Sequence, residues 1–102
     1  MAQRREDNPI LVLKTGGSTL ERLSPDFFRE VVQLSEAGYQ PVLIHGGGPS
    51  INQMLTRLGI ESRFVQGLRV TDAPTMEVVE MVLAGSLNKG LVASLREAGG
   101  RA

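Results

Sequence analysis

The sequence predicts an α/β domain built on an open, mainly parallel sheet. Three observations carry that prediction. Residues 10–13 (ILVL) and 42–45 (VLIH) are short runs of the kind found in strands covered on both faces. Glycines come straight after each run: Gly16 and Gly17 after the first, Gly46, Gly47 and Gly48 after the second. The segment between the runs repeats apolar residues at helical spacing, which gives the order strand, glycine turn, helix, strand. That order is a βαβ crossover, and it delivers both glycine turns to the same edge of one sheet.

The elements follow in order. Residues 1–9, with the polar start MAQRREDN, read as a flexible solvated tail. The first strand ends at Lys14, so a cation stands where a strand meets a glycine turn. In open α/β sheets ligands bind at the carboxyl ends of the strands. Ser24 is placed as the N-cap of a helix with Pro25 in its first position. Phe27, Phe28, Val31, Leu34 and Ala37 form its apolar face, and Gly38 stops it.

After the second strand, Pro49 and Ser50 open another helix over residues 49–58, with Ile51, Met54, Leu55 and Leu58 inward and Gly59 at its end. Residues 63–70 (RFVQGLRV) read as a hairpin turning at Gln66-Gly67. Arg69 sits on its second strand, and gains functional weight if the hairpin folds over the glycine edge. Asp72 caps the next segment, with Pro74 in the first turn. Met76, Val79, Val82 and Leu83 line one side, and the pattern continues through Leu87, Leu91, Val92 and Leu95. The pattern fits one long helix bent near Gly85, or two in succession, ending at Gly99-Gly100. Its apolar face exceeds what a few short strands can cover, so part of it is expected to meet another subunit.

Composition narrows the function. The 102 residues allow one small domain, and 11 basic residues balance 11 acidic ones, which offers nucleic acid or an anionic membrane no bulk attraction. There is no cysteine and only one histidine, so thiolate and histidine metal clusters are excluded. No uninterrupted apolar run approaches the ~20 residues of a membrane span. The N-terminus lacks the apolar region of a signal peptide, which fits a cytoplasmic protein.

Glycine turns at strand ends suit anions, because glycine backbones approach a ligand closely and helix N-termini add unpaired donors. The P-loop pattern is absent, and Ile51 stands where a dinucleotide fingerprint needs its third glycine. The kinase-type glycine loop is missing as well, and no Ser-His-Asp or paired-carboxylate set is apparent. His45 reads as a packed strand-end residue, not a general base. Two glycine turns, a lysine and an arginine remain, and they suit phosphoryl transfer, which depends on positioning and charge neutralisation.

Four stretches then carry a resemblance: VLKTGGS at 12–18, VLIHGGGPSIN at 42–52, GLRVTD at 67–72 and EMVLAGSLNK at 80–89. In order and without a large gap, residues 10–102 resemble the N-terminal half of the acetylglutamate kinase branch of the amino-acid kinase family. The first two stretches specify only the superfamily; the last two point to the branch. The resemblance implies a three-layer αβα sheet of the carbamate kinase-like type, truncated after its N-terminal half. It implies ATP-dependent phosphorylation, with Mg2+, of the side-chain carboxylate of N-acetyl-L-glutamate in arginine synthesis.

By the same resemblance, Lys14 stabilises the transferring phosphoryl group. Gly16, Gly17 and Gly46 cradle phosphate, Gly47 and Gly48 hold substrate, and Arg69 pairs with the substrate's α-carboxylate. The long helix packs in a homodimer or higher homo-oligomer. The family's ATP-binding half has no counterpart in residues 10–102, so the chain is expected to be an inactive fragment. Two other readings remain open: a sibling kinase acting on a carrier-linked aminoadipate, and a non-catalytic dimerisation or regulatory module.

Overall fold

The computed structural model describes residues 8–102, so the expected tail falls almost wholly outside the described residues. Strand β1 spans Ile10–Thr15 and pairs in parallel with β2, Gln40–His45. β1 therefore runs one residue past Lys14, which is part of the strand and not its terminator. The register sets Val12 against Val42, Lys14 against Ile44 and Thr15 against His45. The crossover between the strands is helix α2, Pro25–Glu36, whose N-cap Ser24 accepts a hydrogen bond from the Phe27 amide. Its buried residues are Phe28, Val31 and Val32, whereas Ala37, expected on that face, is exposed beyond the helix end.

The first glycine turn does more than reverse the chain. Gly16 leads into a short helix, α1, Gly17–Leu20, with Thr19 and Leu20 amides bonded to the Gly16 carbonyl at 3.1 and 3.0 Å. The second leads into α3, Gly48–Arg57, in which Ile51 and Leu55 are buried. Leu58 lies past the last turn and is 55% exposed, so the expected inward position is lost to the helix end.

Strands β3 (Phe64–Val65) and β4 (Leu68–Arg69) form the expected antiparallel hairpin. Its turn residues Gln66 and Gly67 both have positive φ, 51° and 79°, the backbone of a type I′ turn whose twist matches the strands. The hairpin is a separate sheet from β1–β2.

Asp72 caps helix α4, Ala73–Glu80, by accepting the Thr75 amide at 3.0 Å. The helix continues without a break through a π-helical segment, Met81–Leu87, into α5, Asn88–Glu97. In the π segment the Asn88 amide reaches back five residues to the Leu83 carbonyl. The anticipated irregularity at Gly85 is thus a widened turn, not a bend into two helices. Thr75, Val78 and Val82 are the buried side, while Met76 is 52% exposed. Helical periodicity runs Thr75, Val78, Val82, and the inward threonine shifts the buried face away from Met76. The continuous helix, Ala73–Glu97, is long and apolar enough by length and composition to cross a membrane. It nevertheless carries Glu77, Glu80 and Lys89, and Val78 and Val82 join Ile51 and Leu55 in the main core cluster.

Gly47 joins the site edge to this helix. A Cβ there would lie 2.9 Å from Leu83 Cδ2 and closer still to Leu87 Cδ1. Only glycine lets the loop approach the π segment so closely. The sheet is covered unevenly. Parallel register and the two-residue pleat put Ile10, Val12 and Lys14 on one face with Val42 and Ile44, and all five are exposed. On the opposite face α2 and α5 approach β2, leaving a groove of about 670 Å³ lined by Val32, Tyr39, Leu43 and Leu91. The α/β class with a parallel sheet and flanking helices holds; among the described residues one sheet face is open.

Two outcomes follow from these contacts. Gly47→Ala should destabilise the chain by about 1–3 kcal/mol through overpacking against Leu83 and Leu87. Gly48→Ala, whose Cβ would meet nothing within 4 Å, should not. Chemical denaturation of both variants checks this, and equal losses would contradict it. Hydrogen bonds from the Thr75 side chain and amide hold the Asp72 carboxyl below its ordinary value, with Arg63 assisting. A carboxyl depressed in the folded state stabilises above its unfolded pKa, and that contribution disappears as pH falls through the folded value. Thermal scans from neutral to strongly acidic pH should therefore show Asp72→Ala costing stability at neutral pH and little in strong acid.

Candidate functional site

The parallel register decides where the chemistry gathers. Because Thr15 lies opposite His45, Gly16 and Gly46 leave the two strands side by side at the carboxyl edge. The Gly46 amide donates to the Thr15 carbonyl at 3.4 Å, and the Thr15 hydroxyl donates to the Ile44 carbonyl at 3.4 Å. These bonds hold the two glycine turns together, and α1 packs against α3 beside them.

Helices α2 and α4 have side-chain caps, Ser24 and Asp72. At α1 and α3 the N-cap residues are Gly16 and Gly47, with no side-chain cap bond. The Gly17 and Ser18 amides of α1 and the Gly48 and Ser50 amides of α3 lack intrahelical acceptors, and the ten-residue α3 adds the positive end of its dipole. Such an edge is suited to an anion. Lys14 adds a full charge on the same edge, on the exposed face of β1. His45 Nδ1 lies 3.0 Å from the Gly46 carbonyl. That oxygen can only accept, so Nδ1 donates and the ring is tied to the loop backbone.

Arg69 is brought to the same end of the molecule. Its Nη2 donates to Asn52 Oδ1 at 2.7 Å, and Asn52 lies in α3 one turn beyond Gly48. The guanidinium carbon stands 4.7 Å from the centroid of the Phe64 ring, a cation–π contact. Nη1 is buried and has no hydrogen-bond partner among the described residues. The hairpin therefore does fold over the helix that starts at the glycine loop. Asn52 and Phe64 escaped the sequence reading: an asparagine inside a helix and an aromatic in a hairpin carry no pattern that marks them. The glycine at 47 has a second cause besides ligand approach, its packing on Leu83 and Leu87. The groove of about 670 Å³ contains none of Lys14, the glycine turns or Arg69, so it is separate from the candidate site.

Known proteins resemble this chain in sequence and fold. The family model for the amino acid kinase family matches residues 9–102. Acetylglutamate kinase of Parvibaculum lavamentivorans is 54% identical over 101 residues, covering 97% of this chain and 33% of that protein. Acetylglutamate kinase of Rhodopseudomonas palustris strain TIE-1 is 52% identical, covering 97% and 34%. Among solved structures, smu.665 of Streptococcus mutans UA159 superposes with a TM-score of 0.81 at 36% identity, over 89% of this chain and 37% of that one. An N-acetylglutamate synthase from Neisseria gonorrhoeae has a TM-score of 0.68 at 23% identity, over 89% and 21%, a likeness of fold alone. The chain spans about a third of the length of the curated relatives it matches. With the family's model matching nearly every residue, and two glycine turns held in register at one sheet edge, the chain belongs to the amino acid kinase family.

Proposed function

We propose that this chain forms the acceptor-binding part of an acetylglutamate kinase, acting in the cytoplasm to transfer phosphate from ATP to N-acetyl-L-glutamate. The observation that supports it most directly is Arg69, whose buried Nη1 lacks a partner among the described residues, at the edge where uncapped helix ends and Lys14 gather. A guanidinium presenting a desolvated donor matches a carboxylate, and a second, phosphoryl-bearing anion matches the glycine turns. The acetylglutamate kinases to which the chain is 50–54% identical are in keeping with that pairing.

The reaction asks little else of the protein. The side-chain carboxylate of the acceptor is ionised at neutral pH and is already a nucleophile. One of its oxygens bonds to the γ-phosphorus as the bond to the departing ADP oxygen breaks, leaving an acyl phosphate. No proton has to be removed, so the reaction calls on cations and amides and needs no base. In this reading Lys14 and the amides of Gly16 and Gly17 stabilise the phosphoryl group in transit, while Gly46, whose amide is held by the Thr15 carbonyl, shapes the cradle beside them. Gly47 and Gly48 border the acceptor, and Arg69 holds its α-carboxylate. Among the described residues no three Asp, Glu or His side chains cluster, so this chain offers no cage for Mg2+, which belongs with the nucleotide phosphates. A homodimer is part of the same reading, through the outward side of the long helix where Met76 and Met81 are exposed.

Kinase assays on the protein as its gene encodes it test these roles. Lys14→Ala should lower kcat by at least ~100-fold, the scale for removing one charge-stabilising donor. Unaltered turnover would remove Lys14 from the reaction. Arg69→Ala should chiefly raise KM for N-acetyl-L-glutamate, by roughly 10- to 100-fold, as expected for a lost hydrogen bond to a charged group. A fall in kcat at constant KM would assign Arg69 a different task.

A further inference from the structure

We infer that Asn52 is a positioning residue: its side-chain oxygen fixes the Arg69 guanidinium in the orientation that meets the acceptor's α-carboxylate. The inference rests on the reading of Arg69 as the carboxylate partner. Arg69 lies on a two-residue strand of a small hairpin, where an arginine would ordinarily sample several rotamers. Here it is held on two sides. The Phe64 ring lies against the guanidinium at 4.7 Å, and Asn52 engages Nη2 at 2.7 Å across 17 residues of sequence. Arginine has donors only, so the asparagine oxygen, not its nitrogen, must face it.

Asparagine suits the task because its amide is neutral. It orients the guanidinium without cancelling the charge that an incoming anion needs. The remaining donor, Nη1, is buried without a partner among the described residues. A buried unpaired donor is costly, and such costs are retained where a ligand later satisfies the group. Asn52 is itself exposed and would hydrogen-bond to water equally well, so its own solvation does not demand the contact. The contact does tie the hairpin to α3, the helix that begins at Gly48. It thereby fixes the distance between the partner of the α-carboxylate and the backbone donors of the glycine loop. An acceptor held at both points has its side-chain carboxylate aimed at the phosphoryl edge.

The test compares Asn52→Leu, which removes the acceptor at similar volume, with Asn52→Asp, which keeps an oxygen there, in the protein as its gene encodes it. Steady-state rates are measured with N-acetyl-L-glutamate and with 4-acetamidobutyrate, the same skeleton without the α-carboxylate. Asn52→Leu should raise KM for N-acetyl-L-glutamate about tenfold. Its kcat should stay within about twofold, and 4-acetamidobutyrate should be used as well as by the unaltered protein. Asn52→Asp should keep the guanidinium held but recover the affinity only in part, because its carboxylate offsets the charge that the acceptor needs. An unchanged KM, or equal losses with both acceptors, would overturn the inference. Nitrogen-15 spectra of Arg69 supply an independent readout, with slowed rotation of the Nη groups expected in the unaltered protein and averaged signals in Asn52→Leu. If neither acceptor is phosphorylated, the proposed function falls. The spectra then still decide Asn52: rotation equally slow in both proteins overturns its role, and loss of the slowing in Asn52→Leu upholds it.

Discussion

The parallel pairing of β1 with β2 is the constraint on which the rest depends. Six register pairs, Ile10 with Gln40 through Thr15 with His45, leave no freedom in where the following residues emerge. A slip of one residue would turn Lys14 to the opposite face and separate Gly16 from Gly46. The register is fixed by what each face meets. Leu11, Leu13 and Leu43 lie on the half-buried face, where α2 packs on β2 and Leu43 lines the groove, while Thr15 is buried at the edge and bonded to the Ile44 carbonyl. Packing on one face of the sheet thus places chemistry at its end.

The site edge is also mechanically joined to the long helix. Gly47 lies between Leu83 and Leu87 in the π-helical segment, and a side chain at 47 would displace one of them. Ile51 and Leu55, from the helix that the glycine loop begins, share a core cluster with Val78 and Val82. One side of the loop is therefore set by the sheet and the other by the helix. A loop fixed from both sides keeps its amides aimed without a ligand to order them, and such preorganisation is where electrostatic catalysis gains most. The π turn belongs to this join. A regular helix through Gly85 would alter the spacing at which Leu83 and Leu87 meet the loop.

Much of the fold was legible in the sequence because its signals are local. Ser24-Pro25, Asp72 with Pro74 and the Gln66-Gly67 turn each encode a backbone state within four residues, and all three are observed. The residues that differ from expectation depend on distant partners. Met76 and Thr75 exchange places because α3 selects which side of α4 is inward. Helix α1 has only four residues, too few for any periodicity to announce it. At the site, Lys14, Arg69 and the glycines stood out by type and spacing. Asn52 could not, since its significance lies in one hydrogen bond to a residue 17 positions away.

Magnitudes decide how Lys14 can act. A unit charge about 4 Å from another is worth about 1 kcal/mol in water and about 4 kcal/mol at the effective dielectric of a partly covered protein surface. A ~100-fold effect on rate needs about 2.7 kcal/mol. Lys14 lies on the open sheet face with Val12, Val42 and Ile44, all exposed, so among the described residues its charge is close to the aqueous limit. The amides at Gly16 and Gly47 are different: they are fixed in direction by strands and helices and gain nothing from further ordering. Lys14 becomes worth its full share only when that apolar face is dry. On the proposed reading, either bound substrate or further protein must fill the space over Val12 and Ile44 before the lysine and the glycine turns would act on a phosphoryl group with comparable strength.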